Sequence, residues 1–94
     1  MSETQFERTV FVISDSTGIT AETFSHSVLS QFQQFQFHAV RIPFVDTVEK
    51  AKEVAERINL SAQETGSKPL VFSTLVDPRI ARTIGAADCN FFDL

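Results

Sequence analysis

Five small or polar residues, Ser14-Asp15-Ser16-Thr17-Gly18, follow directly on an apolar run, Val10-Phe11-Val12-Ile13. At a junction between a strand and a helix, such residues can do one of two things. They can receive an anion, because the first-turn N–H groups of a helix lack intrahelical partners and the macrodipole leaves partial positive charge there. Gly18 would let a phosphate approach the backbone closely, and Ser14, Ser16, Thr17 and Thr20 would add hydroxyls. Asp15 fits less well, since a carboxylate repels phosphate unless it points away or a metal intervenes. Alternatively, a Ser or Thr side chain caps the helix and Gly18 only eases the turn. The residue types leave both readings open.

A second cluster, Ser73, Thr74, Asp77, Arg79 and Arg82, follows another apolar run. Its two guanidiniums could clamp phosphate bidentately; the plainer reading is a solvated helix start capped by Asp77. With Ser14, Asp15, Ser16, Thr17, Gly18 and Thr20, the residues Thr74, Arg79 and Arg82 complete the set of anion-binding candidates. His26 and His38 have no recognisable base or nucleophile beside them and read as structural. Cys89 reads as a small buried hydrophobe, and no Cys/His cluster has zinc spacing. No residue is assigned a catalytic role and none a metal. The three glycines, Gly18, Gly66 and Gly85, fit neither G-x-x-x-x-G-K-[ST] nor G-x-G-x-x-G, so this chain has no standard nucleotide cradle of its own.

Strand-like and helix-like segments alternate with short connections, which is the α/β signature. A first strand is expected over about Thr9 to Ser14, continuously apolar and therefore buried on both faces. A helix from about Ile19 to Gln33 would follow, with Phe24, Val28, Leu29, Phe32 and then Phe35 recurring at spacings of three and four. The second strand, about Phe37 to Ile42, should end at Pro43. "QFQQFQF", Gln31 to Phe37, reads as the helix end running into that strand. Asp46-Thr47-Val48-Glu49 resembles a capping box with Asp46 as the cap. Val48, Ala51, Ala55, Ile58 and Ala62 form one stripe, with Lys52–Glu56 and Glu53–Arg57 on the wet side. "PLVFSTL" is a third buried strand, Asp77-Pro78 opens a short helix ended by Gly85, and "CNFFDL" begins a fourth strand.

The expected architecture is a three-layer α/β sandwich around a mostly parallel sheet of three or four strands, half of a doubly wound flavodoxin- or Rossmann-like fold. A bare parallel edge is an association hazard. A covering partner is therefore expected: a second copy as a homodimer, or a C-terminal part, the chain having the look of a domain excerpt.

Ninety-four residues make one domain. The net charge of −4, without a basic block, argues against nucleic acid. No apolar run approaches the roughly 18 residues of a membrane span, and "MSETQFERTV" has no secretory h-region. One cysteine and no leader suit a reduced cytoplasmic setting. Ten Phe stand against no Trp or Tyr. Those rings are expected mostly in the core, having no polar tip to keep wet.

Two resemblances bear on function. Thr17-Gly18-Ile19-Thr20 is similar to the T-G-x-T turn with which flavodoxins hold the phosphate of FMN, over about six residues. Flavodoxins flank the flavin with rings, often Trp or Tyr; this chain has neither, and "TLVDPR" offers no ring. The second resemblance spans nearly the whole chain. "VFVISDSTGITAETFSHSVLSQF", "IPFV" and "PLVFSTLVDPRIAR" resemble the N-terminal region of the bacterial regulatory proteins of phosphoenolpyruvate synthase and of pyruvate, phosphate dikinase. Members phosphorylate a threonine of the target enzyme with ADP as donor. They remove it by phosphorolysis with inorganic phosphate, releasing pyrophosphate. The family's P-loop lies in a C-terminal kinase-like half that residues 1–94 do not include, so no P-loop residue carries over. The resemblance implies an N-terminal domain without transferase activity of its own or a cofactor. It would serve target docking, oligomerisation or anion binding, with ADP and inorganic phosphate as substrates of the whole protein.

Overall fold

The computed structural model describes residues 6–31 and 35–93. Four strands and three helices alternate: β1 (Phe6–Ser14), α1 (Ile19–Leu29), β2 (Phe35–Ile42), α2 (Val48–Thr65), β3 (Leu70–Thr74), α3 (Pro78–Gly85) and β4 (Asn90–Asp93). The sheet is wholly parallel in the order β2-β1-β3-β4. The β1-to-β2 crossover runs one way along the sheet and the next two run the other way. Because each crossover keeps the same hand, α1 lands on one face while α2 and α3 land on the other. The result is the expected three-layer α/β sandwich.

Register fixes which residues share a face. Ile13 lies opposite Ile42 on one side and Ser73 on the other, and Ser14 lies opposite Thr74. Phe11, Ile13 and Val71 point to the α2/α3 face, where they pack with Val45, Ala51, Val54, Ile58, Ile80 and Ile84. Val10, Val12 and Phe72 point to the α1 face, where Ala21 is the buried helical partner. The continuous apolar run in β1 is therefore the mark of a strand covered on both sides.

Several local expectations need correction. Helix α1 ends at Leu29, where Ser30 closes it with its N–H on His26 O and its hydroxyl on Ser27 O. It stops short of Gln33, and Phe32 to Gln34 lie outside the described residues, as does Leu94. Ala21 and Ser25 are the buried residues of α1, and Phe24 faces out. Ser25 can be buried because its hydroxyl donates to Ala21 O at 2.7 Å. The cap of α2 is Thr47, whose side chain accepts from Lys50 N at 3.1 Å. Asp46 instead pairs with Lys50 Nζ at 2.9 Å, and that bond holds its carboxyl below the usual range. Val54 joins the buried stripe of α2, with Ala55 only half-buried. The side chains of Lys52 with Glu56 and Glu53 with Arg57 are exposed and form no ion pairs among the described residues. Nor are the rings uniformly internal: Phe11 and Phe72 are buried, whereas Phe24, Phe44 and Phe92 are about half exposed.

Candidate functional site

In an open parallel sheet a crevice forms where successive crossovers depart in opposite directions, at the carboxyl ends of the strands. Here that point lies between β1 and β3, so the Ser14–Gly18 turn and the Thr74–Asp77 loop face each other across it. The two clusters singled out in the sequence thus meet in part. The Asp15 carboxylate accepts from Val76 N at 3.1 Å, joining one loop to the other. This bond takes up one carboxylate oxygen in bridging the two loops.

Two further contacts bring in the loop after β2. Val45 N donates to Ser14 O at 2.8 Å, and Phe44 N donates to Ser16 O at 2.9 Å. The buried Ser14 hydroxyl accepts from Ser16 N at 3.1 Å and lies 3.2 Å from the Ser16 hydroxyl. Ser14, Asp15 and Ser16 therefore stitch three loops together. Thr17 and Thr20 remain exposed above them.

Gly18 is the residue before α1, with φ at 79°. An L side chain is disfavoured there by about 1–2 kcal/mol, so Gly is what the turn demands. No side chain caps α1. The nearest approach, Ile19 N to Thr17 Oγ1, is 3.5 Å, too long to count as a firm hydrogen bond. Glu22 N closes the first helical turn on Gly18 O. Among the described residues, the Thr20 and Ala21 N–H groups have no acceptor.

The cation over this turn is one the sequence reading did not select. Arg41, near the end of β2, pairs in register with Val12 and so lies on the α1 face. Its aliphatic stem lies beside Gly18, 3.5 Å from where a Cβ would stand. Its guanidinium is 3.7 Å from Glu22, both side chains being about half exposed. A usable signal was present: a cation near the end of a strand adjoining β1, at alternating register with that strand's apolar residues. By contrast Arg79 folds back on Asp77, with Nη2 at 3.0 Å from Oδ2 and Nε at 3.3 Å from Oδ1. Asp77 also accepts Arg79 N, capping α3 as expected. The Arg79 side chain is the main reason the Asp77 carboxyl is held below its ordinary value. Arg82 stands beside Gly85 and Phe91, on the α3 surface. Thr74 is half-buried and in register with Ser14.

Phe44 is the second residue the sequence reading passed over. Its φ is 62°, and it is the non-glycine residue with positive φ among those described. Such a backbone costs on the order of 1–3 kcal/mol and persists where surrounding contacts impose it. The Ser16 bond and Lys50 Nζ, 3.3 Å from Phe44 O, hold it. Ile19, Phe44 and Val76, on three different loops or helix starts, all carry exposed apolar side chains around the polar turn.

Residues 10–94 match the sequence profile of the Kinase/pyrophosphorylase family. The chain belongs to the Kinase/pyrophosphorylase family. Relatives named as phosphoenolpyruvate synthase regulatory proteins are similar over much or all of it. The protein from Bordetella avium (strain 197N) is 57% identical over 94 residues, covering 100% of this chain and 34% of the relative. That from Ralstonia nicotianae (strain ATCC BAA-1114 / GMI1000) is 53% identical over 87 residues, 93% of this chain and 31% of the relative. One from Burkholderia mallei (strain SAVP1) is 59% identical over 69 residues, 73% of this chain and 25% of the relative. This Kinase/pyrophosphorylase chain spans about a third of the length of the first of these relatives.

Elsewhere the structure offers little acid–base or metal chemistry. His26 and His38 are exposed. Burial, reinforced by Asp88, pushes the Cys89 thiol up, and its side chain packs against the α2/α3 core. Among the described residues, no group of three or more His, Cys, Asp or Glu could hold a metal ion. Nor is any described helix long and apolar enough to cross a membrane.

Proposed function

We propose that this chain is the N-terminal domain of a cytoplasmic, bifunctional regulator of phosphoenolpyruvate synthase or of pyruvate, phosphate dikinase. In the forward reaction the β-phosphoryl of ADP passes to a threonine hydroxyl of the target and AMP leaves. In the reverse reaction inorganic phosphate attacks the phosphothreonine phosphorus, the threonine oxygen departs and pyrophosphate is released. The nucleotide is held by a P-loop in the remaining part of the longer protein. The 94-residue domain supplies a docking surface and an anion subsite, and transfers no phosphoryl group alone.

One observation carries the anion reading. At the switch point, the acceptor-free Thr20 N–H and the exposed Thr17 hydroxyl lie at the Gly18 turn, against which the stem of Arg41 rests. The amide offers a fixed donor at the positive end of α1, and Arg41 adds a full charge that loosely engages Glu22. Ile19, Phe44 and Val76 form an apolar rim on which a protein surface can settle while its phosphothreonine, or a free phosphate product, enters the centre. Arg79, held by Asp77, contributes less than its position in the sequence suggests.

The test is a calorimetric titration of pyrophosphate and of inorganic phosphate into the wild type, Arg41→Ala and Thr17→Ala. The wild type binds, Thr17→Ala binds a few-fold more weakly and Arg41→Ala more weakly still. If neither anion binds the wild type, the turn is structural and the domain is an interaction module. The strand order β2-β1-β3-β4 is also that of the flavodoxin-like sheet, with its flavin site at the β1/β3 switch point. An FMN-binding electron carrier is therefore the second reading. A colourless protein that ignores added FMN excludes it.

A further inference from the structure

The α1 face carries an apolar groove of about 710 Å³ beside α1, lined by residues of all four strands, where no described helix covers the sheet. Phe24 and Leu29 of α1 form one wall. Phe72 and Phe92 form the floor, their rings stacked with centroids 5.2 Å apart. Phe24 and Phe92 are 52% and 46% exposed, large values for rings on a face of a parallel sheet. At one end of the groove stands Arg8, early in β1; at the other stands Asp93, the last residue of β4.

We propose that this groove is filled by an amphipathic helix from the part of the longer protein outside the matched third. The helix would lie beside α1 and run parallel to it. Backbone laid against apolar rings must satisfy its own N–H and C=O groups, which a helix does and an extended segment does not. In a parallel sheet each crossover helix returns from the strand carboxyl ends to the amino ends, as α1 does. An occupant lying parallel to α1 has its N-terminus at the Asp93 end of the groove and its C-terminus at the Arg8 end. The Arg8 guanidinium then complements the negative end of the macrodipole, whereas Asp93, in register with Ser73 and Ile13, directs its side chain to the α2/α3 face.

Arg8 is already anchored within the domain. One of its terminal nitrogens donates to Lys68 O at 2.7 Å. Its Nε is buried and has no acceptor among the described residues, and being buried it is closed to an incoming helix. A docked helix would meet only the charge of the guanidinium, which suits the free carbonyls of a helix C-terminus. Supply is not limiting, since the match covers 34% of the Bordetella avium relative and leaves about two thirds outside it. A second copy fits worse, because a two-fold contact would set one concave surface against another.

The test compares this 94-residue chain with a longer protein in which the domain is continued. In the short chain, the groove raises ANS fluorescence several-fold, and Phe24→Asp abolishes most of that rise while leaving the circular dichroism unchanged. In the longer protein the dye stays dark. There Phe24→Asp lowers Tm and restores dye binding, and Arg8→Gln lowers Tm by less. A longer protein that binds ANS as the short chain does overturns the proposal, and so does one whose Tm ignores both substitutions. A short chain that is dimeric, dark to ANS and made monomeric by Phe24→Asp assigns the groove to a second copy instead. The proposal rests on the domain belonging to a longer protein. None of these readouts involves an anion or phosphoryl transfer, so they stand or fall separately from the kinase assignment.

Discussion

The two faces of the sheet are built from the same strands and end in different states. The α2/α3 face closes over a nine-residue core in which Ile13, Ile58, Val71 and Ile84 are wholly buried. Asn59 of α2 accepts Asp88 N at 2.8 Å, securing the approach to β4 on that side. The α1 face has one short helix, a four-residue core and a groove beside it. The difference comes from winding more than from composition. Two of three crossovers go the same way along the sheet, so two helices share one face and one helix serves the other.

The sharpest way to break this comparison is a pair of truncations. Ile58→Ala should cost about 2–5 kcal/mol in urea denaturation, because its site is fully enclosed. In the short chain Phe24→Ala should cost about 1 kcal/mol or less, its ring being already half wet. Equal costs would mean that the α1 face is as closed as the other.

The next effect belongs to the boundary between the faces. Gly18→Ala should destabilise by about 1–2 kcal/mol through its left-handed backbone, with the new methyl against Arg41. It should also weaken pyrophosphate binding, read in the same titration. Unchanged stability would show that the turn does not require the conformation described.

The smallest effect is electrostatic and lies on the closed face. Asp77 has a carboxyl held below 3.8, first by the Arg79 side chain and then by Arg79 N. A lowered folded-state value means a stabilising contribution that is complete above the unfolded value near 3.8 and is lost as pH falls through the lower folded value. Acid titration of Tm should therefore show a shallow drop below that range, which Asp77→Asn reduces. The group is partly exposed, so added salt should shrink the effect further.

Most element positions were legible because each had a local cause. Thr9 to Ser14 is apolar on both alternations, Pro78 and Asp77 mark the start of α3, and Gly66 with φ at 72° ends α2. The errors arose where one local rule competed with another. Asp46 and Thr47 both can cap, and Thr47 does so while Asp46 serves Lys50. Apolar spacing promised Phe24 to the core, but the helix packs its small residues, Ala21 and Ser25, against the strands.

The candidate site divides in the same way. Its turn was visible in the run from Ser14 to Thr20 as small residues between a strand and a helix, which left an anion site and a plain cap both open. Arg41 was not, because it lies on another strand and reaches the turn only through the β1–β2 register. Arg79 looked available because sequence spacing does not reveal that its guanidinium is taken by Asp77.

By itself the sequence determined the alternation of strands and helices, the buried character of β1 and the family to which the chain belongs. These depend on local propensity, apolar periodicity and motif, all written along one dimension. Only the tertiary structure decided which cation overlies Gly18, which carboxylate is already engaged and which face of the sheet stays open. Those outcomes depend on strand order and register, which bring residues far apart in the chain to one edge by rules that no short stretch of sequence contains.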